Sequence, residues 1–387
     1  MMTMHRSTLM NQFPKAIFGS LKAAAKKKAA TGTKIIDLSL GSPDLPPAQI
    51  VREELAKQAE KADSYGYTLG GTERFHEAVA NYYQRRSGVE LNPQTEIIQT
   101  MGSQEGLVHL PLAFCDPGDI VLTTDPAYVA YAAGIHLAKC EAYAMPLTAE
   151  HQFLPDFDAI PEDICARAKM LILNLPGNPV PAMPSIAFFE KAIAFAKKHN
   201  LIVIHDAAYS EFYFEGTKPL SFLEVPGAKE VGVEINSLSK SFSLAGARIA
   251  YIVGNASTIE TLGELKSHLD YGTFRPIQDA ACVALDNAEA ITDELRIIFS
   301  TRHRVLSEGL EAIGWELAPS AGGMFVYAKY PQQQMDDKEF VYHVIEQTGV
   351  VLVPGSIFGA SGRNHVRIAL VQDEKLLQEA VSRLATL

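Results

Sequence analysis

The stretch Ser237-Leu-Ser-Lys240-Ser-Phe-Ser-Leu-Ala-Gly-Ala-Arg248 sets one lysine among small hydroxyl residues and places an arginine eight positions beyond it. A lysine amine condenses with an aldehyde, while serine hydroxyls and a guanidinium suit a phosphate, so the run fits a ligand carrying both groups. On its own it also reads as a polar loop with one solvated lysine. The surrounding segments weigh against that loop. Leu201-Ile-Val-Ile-His-Asp206 is an apolar run with a polar end, as a buried parallel strand would be when it carries a carboxylate to the carboxyl edge of a sheet. Tyr209 follows three residues later. Met170-Leu-Ile-Leu-Asn-Leu-Pro-Gly-Asn178-Pro repeats the strand and turn. Ile97-Ile-Gln-Thr-Met-Gly102-Ser103-Gln104-Glu-Gly106 gives a strand, a small-residue turn and the start of an apolar helix.

One cofactor, pyridoxal phosphate, accounts for all four segments. Lys240 would take its aldehyde. Asp206 would accept a hydrogen bond from the protonated pyridine nitrogen and keep the ring an electron sink, and Asn178 would donate to the phenolic oxygen. Free amides where a helix begins at Gly102-Ser103-Gln104 make a phosphate seat.

Composition agrees with a globular enzyme. A chain of 387 residues, 47% hydrophobic, can bury a large core and divide into two domains. With 34 Lys and Arg against 45 Asp and Glu, the formal charge of −11 argues against a nucleic-acid surface. Lys26-Lys27-Lys28 is the one basic cluster and reads as the solvated face of the first helix. Cys115, Cys140, Cys165 and Cys282 lie far apart without a C-x-x-C pair, which implies a reduced compartment. The amino end lacks an apolar core of signal-peptide length and no later run approaches a membrane span, so a cytoplasmic protein with no membrane partner is expected.

Helix and strand signals alternate along the chain. Residues 14–30 read as a helix, Ile35 to Leu40 as a strand, 48–62 as a helix after Pro43, Pro46 and Pro47, and Phe75 to Arg86 as a helix. Ile120 to Thr123, Met170 to Leu173, Leu201 to His205, Gly232 to Ile235 and Ile249 to Val253 read as short apolar strands. These predict an α/β fold with a largely parallel sheet covered on both faces. The region 278–312 reads as one long helix leading to a carboxyl-terminal domain. There Gly323 to Lys329, Val350 to Pro354 and His365 to Leu370 form a smaller sheet.

The ordered set Gly102-Ser103-Gln104, Tyr128, Asn178-Pro179, Asp206-Ala-Ala-Tyr209, Ser237-x-Ser-Lys240, Arg248 and Asn364-His-Val-Arg367-Ile-Ala resembles the class I/II aminotransferases of fold type I over nearly the whole chain. The opening "IIDLSLGSPDLPP" and the turn "GSQEGL" look most like the bacterial branch with alanine, LL-diaminopimelate and aspartate-like aminotransferases. The resemblance implies a large cofactor domain over 46–277 with a mostly parallel seven-stranded sheet. It also implies a small α+β domain over 278–387, joined by the amino-terminal segment 1–45. Lys240 would hold the cofactor and shuttle a proton at the substrate α-carbon. Asp206 would pair with the ring nitrogen, Asn178 and Tyr209 would approach the phenolic oxygen, and Tyr128 would stack on the ring. Gly102, Ser103, Gln104, Ser237, Ser239 and Arg248 would surround the phosphate. Arg367, with a backbone contact from Gly41, would clamp the substrate carboxylate beside Asn178. Tyr65, or Tyr67 in a shifted register, would reach the phosphate of a second copy, which implies a homodimer with shared sites. No metal is needed.

Two departures stand out. Val180-Pro181 replaces the family's usual Thr-Gly after Asn178-Pro179, and Glu73-Arg74-Phe75 alters the usual "LR" after the tyrosine-glycine turn. The expected activity moves an α-amino group from a small or medium neutral L-amino acid such as alanine, or from glutamate, to a 2-oxo acid. Arg275 lies where dicarboxylate-specific relatives carry a second arginine, but it precedes Pro276 and a capping role is as well supported; Tyr271, Thr273 and Phe274 favour a neutral substrate. A carbon–sulfur β-lyase using the same Lys240, Asp206 and Arg367 is the enzymatic alternative. A non-catalytic binding or regulatory protein on the same fold is another.

Overall fold

The computed structural model describes residues 5–13, 17–214, 216 and 218–387. Its strands are β1 Ile36–Asp37, β2 Ile97–Thr100, β3 Ile120–Asp125, β4 Glu141–Pro146, β5 Ala168–Leu173, β6 Ile202–Asp206, β7 Gly232–Ser237, β8 Ala250–Gly254, β9 Glu316–Leu317, β10 Phe325–Lys329, β11 Val350–Val351, β12 Val353–Pro354 and β13 His365–Ala369. Seven form one sheet in the order β2-β8-β7-β6-β5-β3-β4. All its neighbours are parallel except β8, which runs antiparallel to β2 and β7. A fold type I α/β architecture with a smaller α+β unit is therefore present.

The apolar runs predicted as strands are buried on both faces because successive side chains point to opposite sides. Leu171 and Leu173 of β5 join one core cluster with Phe189, Phe222 and Tyr251, while Met170 and Ile172 join another with Leu107, Ile135 and Ile252. A third cluster fills the small unit around Phe299, Phe325, Phe340 and Ile368. It takes in Leu21, Ile36 and Leu38 from the amino-terminal segment and Ala208 and Tyr209 from the turn after β6. The small unit is the antiparallel sheet β12-β13-β10-β9, beside which β1 pairs in parallel with β11.

Several elements depart from the sequence reading. The edge strand β4 was not foreseen; its side chains are mostly exposed, so it lacks the apolar run that marks its neighbours. The strand expected from Ile35 to Leu40 contracts to Ile36–Asp37, and Val350 to Pro354 divides into β11 and β12. The long helix expected over 278–312 is two helices, Arg275–Asp286 and Ala288–Ala312. Asn287 separates them, its side-chain amide donating to the Val283 carbonyl at 2.8 Å and competing with the helix ladder. The first helix runs Ile17–Ala29 and carries Lys26, Lys27 and Lys28 in its last turn, where cations favour the helix dipole; residues 14–16 lie outside the described residues.

Candidate cofactor site

The carboxyl ends of β2, β5, β6 and β7 and the amino end of antiparallel β8 lie at one edge of the sheet, because Ser237 pairs with Ala250 and Thr100 pairs with the same residue. Gly102, Asn178, Asp206, Lys240 and Arg248 leave the sheet at this edge, as ligands are bound in open α/β sheets. Tyr128 follows β3 at the same edge.

Lys240 sits in the single turn Leu238–Ser241 after β7, and its Nζ donates to the Gly41 carbonyl. Burial and the nearby Arg367 and Arg248 cations lower its pKa to about 8, against the opposing pull of Asp206. Asp206 is fully buried, which raises its pKa. Its Oδ2 accepts from the Tyr131 hydroxyl at 2.8 Å and its backbone carbonyl accepts from Asn174 Nδ2 at 2.7 Å. Asn174 Oδ1 in turn accepts from the Asn178 amide at 2.8 Å, so one asparagine ties the two turns together. Burial raises the pKa of Tyr209, with Tyr128 and Asp206 adding to it and a hydrogen bond with Asn178 opposing it. Tyr128 is raised by burial and then by Asp206, and it meets the Tyr131 ring edge-on at 5.7 Å.

Arg367 enters from β13 and is 2% exposed. Its Nη1 donates to Asn178 Oδ1 at 2.9 Å, its Nη2 donates to the Ser39 carbonyl, and its guanidinium lies 4.4 Å from the centre of the Phe325 ring and 5.1 Å from that of Phe358. Its Nε is buried without a partner. Burial brings its pKa down to about 10. Gly41 is closely confined, since a Cβ there would come within 3.0 Å of the Phe325 ring and 3.9 Å of Arg367 Nη1.

Gly102 has φ +82° and caps the helix Ser103–Phe114, and a Cβ on it would stand 2.2 Å from Arg248 Nη2. Arg248, itself left-handed at φ 54°, thus lies over the open amides of that helix. Ser237 Oγ accepts from the Ser239 amide at 3.1 Å in the adjoining turn. Among the described residues Arg248 bonds no carboxylate, its Nη1 donating to the Ala245 carbonyl at 3.0 Å, and a guanidinium beside a helix start, with Ser237 and Ser239 in the turn that carries Lys240, is a donor set that suits a multiply charged anion. With the amine of Lys240 and the buried carboxylate of Asp206 alongside, the residues fit pyridoxal phosphate. They would hold, respectively, its phosphate, aldehyde and ring nitrogen.

Not every predicted residue joins this group. The Tyr65 hydroxyl donates to the Ala59 carbonyl at 2.8 Å and its ring packs on Phe274; Tyr67 packs on Tyr271. Arg275 pairs with Asp279 at 3.7 Å. The departure at Val180-Pro181 is absorbed by packing, since Val180 is buried, its carbonyl accepts from the Gly177 amide at 3.0 Å, and Pro181 abuts Gly323. Tyr131, Asn174 and Ser39 were missed by the sequence reading. Tyr131 carried one signal, its place three residues after Tyr128 at the start of a helix. Elsewhere Glu162, Cys165 and His199 bring their ligand atoms within 4.8 Å of one another beside a cavity of about 660 Å³.

The family model of class I and II aminotransferases matches residues 33–384. An LL-diaminopimelate aminotransferase from Oleidesulfovibrio alaskensis is 42% identical over 376 residues, covering 97% of each chain. Among solved structures, substrate-bound BacF from Bacillus subtilis superposes with a TM-score of 0.95 at 37% identity, over 100% of this chain and 98% of that one. A probable N-succinyldiaminopimelate aminotransferase from Thermus thermophilus gives 0.91 at 35% identity, over 96% of this chain and 100% of the other. No helix among the described residues is long and apolar enough to cross a membrane.

Proposed function

The chain belongs to the class I and II aminotransferase family and is a pyridoxal-phosphate-dependent transferase. From that premise we propose that it moves the α-amino group of a small or medium neutral L-amino acid such as alanine, or of glutamate, to a 2-oxo acid in two half-reactions. The observation that carries this reading is the buried Arg367 guanidinium, with an unbonded Nε, close to the Lys240 amine. Every α-amino acid brings a carboxylate to that cation. The likeness to LL-diaminopimelate aminotransferases favours LL-diaminopimelate as a second donor.

When bound, the cofactor supplies an aldehyde to receive the amino group and a ring to hold the electron pair left at the α-carbon. Lys240 Nζ, its pKa lowered to about 8, is more readily neutral than an ordinary lysine and would take the α-proton and return it. Arg367 would fix the carboxylate so that the Cα–H bond faces Lys240. Asn178, held through Asn174 and Arg367, would present its amide to the phenolic oxygen beside Tyr209, and Tyr128 would cover the ring. Arg248, Ser237, Ser239 and the amides of Gly102, Ser103 and Gln104 would hold the phosphate.

The domain division 1–45, 46–277 and 278–387 and a cytoplasmic setting with reduced cysteines belong to the same proposal. So does a homodimer. Tyr65 and Tyr67 are 66% and 82% exposed, and with Leu69, Leu269, Tyr271 and Phe274 they form an apolar surface that a second copy would cover. Tyr65 would then serve the partner's phosphate, with Tyr67 as the other choice.

The test is an absorbance titration of cofactor-loaded protein with alanine, glutamate, aspartate, LL-diaminopimelate and cystathionine. A change of the cofactor band that an oxo acid reverses supports transamination and ranks donors. Pyruvate release from cystathionine without that change would instead assign the β-lyase, and a protein that binds cofactor but answers no donor would assign the binding role.

A further inference from the structure

We propose that Tyr131 is a positioning residue for the cofactor: its hydroxyl holds the Asp206 carboxylate ionised and aimed so that the other carboxylate oxygen meets the ring nitrogen. The inference rests on the assignment of Asp206 to that nitrogen.

Asp206 ends β6 with its side chain wholly inside the protein, where an ionised carboxylate needs donors to stand in for water. Among the described residues it has one side-chain donor. The Tyr131 hydroxyl gives Oδ2 a bond of 2.8 Å, whereas Oδ1 has a single long contact of 3.4 Å from the Ala208 amide. The neighbouring His205 is committed elsewhere, with Nδ1 at 2.9 Å from Glu234 and Nε2 at 3.0 Å from the Leu175 carbonyl. One oxygen of Asp206 is thus fixed and the other left nearly free, which is what a carboxylate needs if it is to receive one more N–H.

The donor type matters as much as its place. A phenol gives one proton and carries no charge, so it leaves the carboxylate its full negative charge for a cationic ring. A lysine or arginine in its stead would neutralise that charge and compete with the ring nitrogen. Tyr131 is 2% exposed, held in the helix Ala130–Leu137, and lies one helical turn from Tyr128. A single turn therefore supplies both the ring-covering aromatic and the group that sets its electrostatic partner.

The experiment compares wild type, Tyr131→Phe, Asp206→Asn and the double variant, all loaded with pyridoxal phosphate. The first readout is the pH at which the visible cofactor band changes, and the second is the nitrogen chemical shift of ring-labelled cofactor. In Tyr131→Phe the band should change at a pH higher by about half a unit, because a less ionised Asp206 leaves less positive charge on the ring. The ring nitrogen should move toward its unprotonated shift. Amino-group transfer should show kcat lower by about 10-fold with KM little changed. In the Asp206→Asn background the same substitution should move neither spectroscopic signal. Unchanged signals in Tyr131→Phe, or equal shifts in both backgrounds, would overturn the proposal. So would a Tyr131→Phe protein that cannot fold, since the proposal gives the hydroxyl a cofactor role and not the fold. If Asp206→Asn itself left the ring nitrogen unmoved, the assignment of Asp206 would fail, and that outcome is distinct from failure at Tyr131.

Discussion

Two polar clusters are buried within a few residues of each other, and they are built on opposite terms. Glu234 accepts from the Tyr83 hydroxyl at 2.6 Å and from His205, the Ser221 hydroxyl and the Phe222 amide at 2.9 Å each. Burial alone would raise its pKa, yet these donors, His205 foremost, hold it below the ordinary value. The neighbouring Glu211 is likewise lowered against burial by Arg86, with Tyr82 helping. Beyond the carboxyl end of the strand that carries Glu234, Lys240 meets Arg367 of β13; burial lowers the pKa of both, Arg367 adds to the lowering of Lys240, and Arg367 Nε is unpartnered. A cluster whose donors and acceptors are all matched is scaffold, while one whose charges are left over is finished by what it binds.

This contrast predicts different losses on each side. The largest is at Lys240: Lys240→Ala should lower amino-group transfer by at least about 1,000-fold while the protein stays folded, checked by single-turnover absorbance beside circular dichroism. Glu234→Gln should do the reverse, costing about 3 kcal/mol of stability because the donors gathered around a buried carboxylate lose its charge and one of its two acceptor oxygens, measured by denaturant unfolding. Because Glu234 is lowered on folding, its contribution is present above its unfolded value of 4.5 and lost as pH falls through the folded one. The variant and wild type should therefore converge in acid, and a constant gap across pH would break the comparison. Arg367→Lys keeps the charge but loses the planar fork, so KM for the amino donor should rise by about 30-fold, read from steady-state kinetics.

The smallest effect sharpens the comparison most. Lys240 is lowered from 10.5 to about 8, so in cofactor-free protein folding is penalised at pH below about 8 and the penalty fades as pH rises to 10.5. Lys240→Met should then melt about 2 °C higher than wild type at pH 7, with the gain gone near pH 10.5. A Lys240→Met protein that melts lower at pH 7 would show that the lysine is a structural group after all.

Legibility in the sequence followed local chemistry. That Lys240, Asp206, Asn178 and Gly102 would lie together was readable because each follows an apolar run, and the sheet brings the ends of those runs to one edge. The strand β4 was not, because an edge strand with exposed side chains has no apolar run to betray it. The break at Asn287 was hidden because helical periodicity continues on either side of it, and the stop is marked only in three dimensions, by the non-helical Asn287 backbone at φ −113° and ψ 26° and its side-chain bond to Val283. Tyr131 was hidden behind Tyr128, the more familiar aromatic of the same turn.

The amino-acid sequence by itself determined the strand-and-helix alternation, the residue types a phosphate, an aldehyde and a carboxylate require, and their order along the chain. Those are properties of short segments, set by side-chain chemistry and spacing. Only the tertiary structure decided that Tyr131 bonds Asp206 across 75 positions and that Arg367 reaches Ser39 and Asn178 across 328 and 189. It alone set Lys240 against Gly41, 199 residues away. Such contacts arise when separate faces pack to exclude water, and which polar atoms are then matched or left over depends on the whole packed arrangement, which no short stretch of sequence contains.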